Sequence, residues 1–144
     1  MEIMEISKVE MPEAMGLVWE VFREFEAPDY AADGIRTFKE FIDCQAYHTT
    51  IKMFGAFENG TLLGVIATRN EGSHITLFFV RKEHHRQGVG RKLFEHIVSR
   101  FNNSSITVNS SPYAAEVYHK LGFIDLDTEQ LTNGLRYIPM QYTR

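Results

Sequence analysis

The sequence predicts one α/β domain built on a mixed, twisted β-sheet with flanking helices, in the order β-α-α-β-β-β-α-β-α-β-β. Three observations predict it. Segments with apolar residues at 3- and 4-residue steps alternate with short apolar runs of strand length. Asn59-Gly60 and Asn133-Gly134 stand between such runs, as hairpin turns do. The run Ile75-Thr76-Leu77-Phe78-Phe79-Val80 is apolar on both faces, as a central strand requires.

The elements follow in order. Ile3 and Ile6 mark a short first strand. Pro12 suits the first turn of a helix, where its missing N–H is not needed. Met15, Val18, Trp19, Phe22 and Phe25 continue that helix at helical spacing, with Trp19, Phe22 and Phe25 expected in the core. It ends before Ala27-Pro28-Asp29, because the residue before a proline avoids the α region. Ile35, Phe38 and Ile42 predict a second helix after Asp33-Gly34. Ile51 to Phe57 and Leu62 to Ala67 form the first hairpin. Asn70 to Ser73 form a loop before Ile75–Val80. Val89, Leu93, Phe94, Ile97, Val98 and Phe101 mark a helix, and Ile106-Thr107-Val108 a short strand. Ser111-Pro112 opens another helix as cap and first residue, and Gly122 closes it. A last hairpin turns at Asn133-Gly134 and ends in Tyr137 to Tyr142.

A length of 144 residues suits one domain over 1–144, with a core that needs no metal or disulfide staple. The longest apolar runs are too short to span a bilayer, and Met1 to Glu5 lack the pattern of a secretory signal. The single Cys44 has no internal partner, so a reducing cytoplasmic home is expected. A net charge of −4 argues against broad nucleic-acid binding. Charge is uneven: residues 1–43 are rich in Asp and Glu, whereas residues 81–100 carry Arg81, Lys82, Arg86, Arg91, Lys92 and Arg100 against Glu83 and Glu95. His84 and His85 are neighbours on an extended chain, which point apart and rarely share an ion, so no metal site is expected.

Chemistry concentrates where the strand ending at Val80 runs through Arg81-Lys82-Glu83-His84-His85-Arg86-Gln87-Gly88-Val89-Gly90 into a helix. The first N–H groups of a helix lack partners, and its dipole is positive there. Glycines let an anion approach the backbone, so phosphate binding is expected. The spacing excludes a Walker loop, which needs Gly-Lys followed by a hydroxyl, and a dinucleotide fingerprint, which needs a third glycine.

His85-Arg86-Gln87-Gly88-Val89-Gly90, with a strand before and a helix after, resembles the Gln/Arg-x-x-Gly-x-Gly/Ala motif of the GNAT superfamily of acetyl-CoA-dependent N-acetyltransferases. His85 stands where Gln or Arg is usual. Asn109, the helix from Pro112 and Tyr118-His119-Lys120-Leu121-Gly122-Phe123 resemble that family's second half, and the element order agrees along nearly the whole chain.

The resemblance implies transfer of an acetyl group from acetyl-CoA, as co-substrate, to a primary amine by direct attack. It implies that the strand over Ile75–Val80 splays from that over Ile106–Val108, with the pantetheine arm against Phe79 and Val80. Backbone amides of Arg86, Gln87, Gly88, Val89, Gly90 and Arg91 would then wrap the pyrophosphate, with His85 opening the cofactor-binding loop. Arg81, Lys82, Arg86 and Lys92 are candidates for the 3′-phosphate. Tyr118 would be the general acid to the leaving thiolate, since a phenol stays protonated at neutral pH. Asn109 either bonds the cofactor arm or caps its strand. Glu71, His74 and His48 fall near the expected acceptor side as candidate bases. The acids and aromatics of residues 24–34 suit a small cationic or lysine-type amine. Family members are often homodimers, so a homodimer is compatible. A second reading of the same fold is a non-catalytic acyl-CoA-binding or sensing module; Tyr118 favours the enzyme.

Overall fold

Eight strands form one sheet in the computed structural model, which describes residues 1–144. In chain order the elements are β1 (Glu2–Glu5), α1 (Met11–Val21), α2 (Ala32–Asp43), the single turn α3 (Gln45–His48), β2 (Lys52–Glu58), β3 (Thr61–Arg69), β4 (His74–Val80), α4 (Val89–Arg100), β5 (Ser105–Ser110), α5 (Ala115–Leu121), β6 (Ile124–Asp125), β7 (Gln130–Thr132) and β8 (Leu135–Thr143). The spatial order is β1-β2-β3-β4-β5-β8-β6, with β7 paired to β8. The β4–β5 pair is parallel and the others are antiparallel, so the expected mixed sheet with flanking helices is observed. Asn59-Gly60 and Asn133-Gly134 turn their hairpins with φ of 51° and 80°, and 52° and 81°. These are the left-handed conformations that match the twist of the paired strands.

Each face of the sheet buries its own core. Leu17, Val18 and Phe22 of the first helical region meet Met53, Val65 and Leu77 on one face. On the other, Leu93 and Ile97 of α4 meet Ile66, Ile75 and Ile106, and α5 adds Tyr118. Of the three aromatics expected in the core, only Phe22 is fully buried. Its ring stacks on Phe38 at 3.9 Å. Trp19 is half-buried with Lys39 over its ring, because a Lys stem covers apolar surface while its charge stays wet. Phe25 is half-buried against His85 and Tyr113. No helix is long and apolar enough to cross a membrane.

Four local features differ from the sequence expectation. After Val21 the chain widens into one π-turn, Phe22–Glu26, and tightens into a 3₁₀ turn, Ala27–Asp29, around Pro28. α2 begins before Asp33-Gly34, so Gly34 lies inside its first turn. The single-turn α3 and the two-residue β6 carry too little periodicity to be predicted. α5 begins at Ala115 rather than Pro112, although the Ser111 hydroxyl accepts the Ala114 N–H at 3.2 Å as a cap would. Gly122 ends α5 in the left-handed conformation, as expected.

Gly34 is explained by the β7–β8 hairpin. A Cβ on Gly34 would lie 2.1 Å from the Gly134 carbonyl oxygen. The Thr37 hydroxyl donates to the Asn133 carbonyl at 2.8 Å, Tyr30 Oη to the Arg136 carbonyl at 3.1 Å, and Arg136 Nη1 to the Asp29 carbonyl at 2.9 Å. The hairpin is thereby clasped to the start of α2. Gly34→Ala improves intrinsic helix propensity by about 1 kcal/mol. The clash is with backbone, which cannot swing aside, so we expect a net loss of about 1–3 kcal/mol in urea unfolding. Equal or greater stability in this variant would show that the hairpin lifts away freely.

Candidate active site

β4 and β5 share only two rungs, His74 opposite Thr107 and Ile75 opposite Val108. Just beyond them the β3–β4 register shifts. Thr68 pairs Ile75 and Ala67 pairs Leu77, so Thr76 is an extra residue. A bulge of this kind bends its strand. β5 meanwhile stays paired to β8 along six residues, Ser105 to Ser110. The two parallel strands therefore part, and a cleft of about 370 Å³ opens between them. The π-turn, α2 and the β7–β8 hairpin close its sides. A larger groove of about 580 Å³ lies between α1 and the α2–α3 corner, around Met15, Trp19 and His48. It touches neither Tyr118 nor residues 79–91.

The glycine-containing loop leads from the end of β4 into α4. A 3₁₀ turn, Lys82–His84, is followed by Arg86 at φ 63° and Gly88 at φ 82°. Such left-handed positions rotate successive N–H groups toward one side, forming an anion-binding concavity. The amides of residues 86–91 donate to no backbone or side-chain acceptor. The first bond into α4 is Lys92 N–H to the Gly88 carbonyl at 3.0 Å. Gln87 Nε2 donates to the Glu83 carbonyl at 3.1 Å and braces the loop from within. His85 Nε2 donates to the Val80 carbonyl at 2.7 Å, tying the loop to the strand it leaves.

The basic side chains here divide into two groups. Arg81 pairs with Glu20 at 2.8 Å and donates Nε to the Leu62 carbonyl at 2.9 Å. Lys82 pairs with Glu24 at 3.1 Å. Arg86 and Lys92 have no ionic partner within 4.0 Å. Arg91 reaches the Lys120 carbonyl at 3.2 Å and joins α4 to α5.

Cleft and loop meet at Phe78. A Cβ on Gly90 would lie 3.5 Å from the Phe78 ring, so the start of α4 rests on β4. The Phe78 ring in turn meets Tyr118 edge-on at 5.9 Å. Tyr118 is only 5% exposed, yet its hydroxyl bonds to no protein group and is not sealed from solvent, so it opens into the cleft. Burial, and then the Glu26 carboxylate, hold its proton well above the usual phenol range. Glu26 is the last residue of the π-turn and enters the same cleft. Burial pushes its carboxyl up to about 7, with Asp29 adding to the rise and the Ser111 hydroxyl opposing it. The residue is partly exposed, and its carboxyl oxygens, like the Tyr118 hydroxyl, are not sealed from solvent.

Of the other residues singled out in the sequence, Phe79 and Asn109 line the cleft, Phe79 buried and Asn109 exposed at the β5 edge. Val80 is half-buried, its carbonyl taken by His85. The three candidate bases do not converge on Tyr118. Glu71 is exposed on the turn after β3. His48 bonds the Ile42 carbonyl at 2.7 Å and lines the other groove. His74 lines the cleft, bonded through Nδ1 to the Thr107 hydroxyl at 2.8 Å, but burial and then Arg69 depress its pKa to about 4. Nothing in the sequence singled out Glu26 as the acid that enters this cleft. It is one acid among many in its segment, and a π-turn has no periodic signature to reveal which one turns inward.

A family model described as an acetyltransferase (GNAT) domain matches residues 26–144. No curated protein matches the sequence. Solved structures with the same fold include a GCN5-related N-acetyltransferase from Rhodopseudomonas palustris, at 16% identity and a TM-score of 0.85 over 99% of this chain and 95% of that one. The PaiA N-acetyltransferase from Thermoplasma acidophilum, solved in complex with coenzyme A, is 18% identical with a TM-score of 0.75 over 99% and 98%. An aminoglycoside 6′-N-acetyltransferase, complexed with coenzyme A, is 15% identical with a TM-score of 0.64 over 99% and 97%.

The raised pKa of Glu26 links stability to pH. The folded protein holds this proton up to about pH 7, whereas the unfolded chain releases it near 4.5. Stability therefore falls as pH rises through that window and levels off above it. Glu26→Gln has no such proton to lose. Relative to wild type it should gain about 3 kcal/mol between pH 4 and pH 8 in urea unfolding. A difference that does not change with pH would put the carboxyl in water.

Proposed function

The chain belongs to the GNAT acetyltransferases, and we propose that it transfers the acetyl group of acetyl-CoA to a primary amine held in the β4–β5 cleft. One observation carries the reading. A row of unpartnered amides, residues 86–91, adjoins a gap in the sheet that is lined by both the Tyr118 phenol and the Glu26 carboxyl.

The residues present fit acetyl-CoA. Its phosphates need donors, which the amides and the positive end of α4 supply. Arg86 and Lys92 are the free cations for its 3′-phosphate, since Arg81 and Lys82 are already paired. Its pantetheine arm needs an unpaired strand edge, and β4 offers one beyond Ile75. Phe79 and Val80 belong to that stretch, the Val80 carbonyl being already bonded by His85, and Asn109 lines the cleft from β5.

Acetyl-CoA supplies an acetyl thioester whose carbonyl carbon forms a bond to the amine nitrogen as the bond to sulfur breaks. The protein's part is to move two protons. A lysine-type ammonium has a pKa near ~10.4 and must lose a proton to attack. Glu26 accepts it; a carboxyl with a pKa of about 7 is half-ionised at neutral pH and matched to that task. Tyr118 donates its phenolic proton to the departing sulfur and is restored by the second proton that the nitrogen sheds as the amide forms. Of the acids in residues 24–34, Glu26 lines the cleft and Glu24, Asp29 and Asp33 do not; Glu24 is paired with Lys82 and Asp33 bonds the Gly34 N–H. One carboxylate faces the cleft, which suits a single ammonium better than a polyamine.

Tyr118→Phe should lower kcat by roughly ten- to a thousandfold in a thiol-release assay, while acetyl-CoA still raises Tm. Unchanged turnover would remove Tyr118 from the mechanism. In wild type, kcat/KM should climb with pH through about 7 as Glu26 ionises. Glu26→Gln should lose that rise together with most of the rate. A rise that persists in Glu26→Gln assigns the proton to another group.

A further inference from the structure

The far end of the cleft carries a charge of the opposite sign. Two arginines line the cleft, Arg69 at this end and Arg136 beside Asp29 and Tyr30. Arg136 is fully committed, with Nε and Nη2 on the Glu129 carboxylate at 2.9 and 3.2 Å and Nη1 on the Asp29 carbonyl. Arg69 makes no hydrogen bond and no ion pair, although guanidinium presents five donors in a fork that matches a carboxylate. Its root is well fixed. It is the last residue of β3, opposite His74, whose rung with Thr107 is the first of the two that join β4 to β5. His74 is held there by the Thr107 hydroxyl and is neutral at pH 7, so it does not compete with Arg69 for an anion.

The two charges lie at different ends. The field of Arg69 is felt by His74 and Tyr47, that of Glu26 by Tyr30, Tyr113 and Tyr118. Phe38, Phe41 and Tyr47 give the cleft an aromatic wall, with Phe41 half exposed. A simple cationic amine would satisfy Glu26 and leave Arg69 unpaired.

We propose that the acceptor is an amino carboxylate, with its amine toward Glu26, an apolar body along the aromatic wall and its carboxylate paired by Arg69. This inference rests on the acetyl-transfer reading for the identity of the amine end alone. The carboxylate end is a matter of binding and is tested without turnover.

The test is calorimetric titration of the CoA-saturated protein with two matched pairs, L-phenylalanine with L-phenylalaninamide and 6-aminohexanoate with 6-aminohexanamide. At least one acid should bind roughly tenfold or more tightly than its amide, the size expected of a charge-assisted bond. Arg69→Gln should bring that acid to the affinity of its amide and leave the amide unchanged. If neither acid is preferred in wild type, or if Arg69→Gln weakens acid and amide alike, the proposal is wrong. Thiol release from acetyl-CoA with the same four compounds separates the two readings. Acid-selective binding without acetylation would keep the Arg69 pocket and overturn the transfer chemistry. Acetylation of acid and amide with equal kcat/KM would do the reverse.

Discussion

Everything in the cleft depends on two parallel strands that stay together for two rungs and then separate. A parallel pair normally continues, because each further rung satisfies an N–H and a carbonyl. Here Thr76 bends β4 one way while β8 holds β5 another. The lost rungs leave unpaired backbone at the edge of β4 in the middle of the molecule. Something other than β5 must meet those groups, which makes the opening a candidate place for a ligand. The loop before α4, the phenol of Tyr118 and the carboxyl of Glu26 are arranged around the gap.

The two titratable groups in the gap act on each other. Ionised Glu26 helps to hold the proton on Tyr118, second only to burial. In the proposed reaction Glu26 becomes neutral when it takes the amine's proton. Its hold on the phenolic proton then lapses at the moment when the sulfur needs it. A pair of groups whose environments set their proton affinities far apart can thus pass charge in sequence, without either being strongly acidic or basic at rest.

Much of this was legible in the sequence, for physical reasons that differ by element. Asn59-Gly60 and Asn133-Gly134 fixed both hairpins, because few other residue pairs adopt two consecutive left-handed positions. The helix over 89–100, the loop between Val80 and Val89 and the Gly122 end of α5 followed from periodicity and glycine placement, whereas Ser111-Pro112 put the start of α5 three residues early. Glu26 did not. Its role comes from one wide turn after α1 and from burial beneath elements distant in the chain. Arg69 and Arg136 look alike in sequence, and only their partners distinguish a structural guanidinium from a free one. Gly34 read as a turn before α2, whereas it lies inside the helix because the tip of a hairpin occupies the space of its side chain.

That contact between Gly34 and Gly134 also constrains how the protein is made. The Tyr30 hydroxyl finds its carbonyl 106 positions further along the chain. At usual rates of synthesis, roughly 5–20 s separate the emergence of the two partners from the ribosome. Throughout that interval the aromatic residues of the π-turn and α2 lack the hairpin that completes their wall. The glycine keeps the surface of the nascent helix smooth at that point, so the late hairpin can dock onto it without first displacing anything.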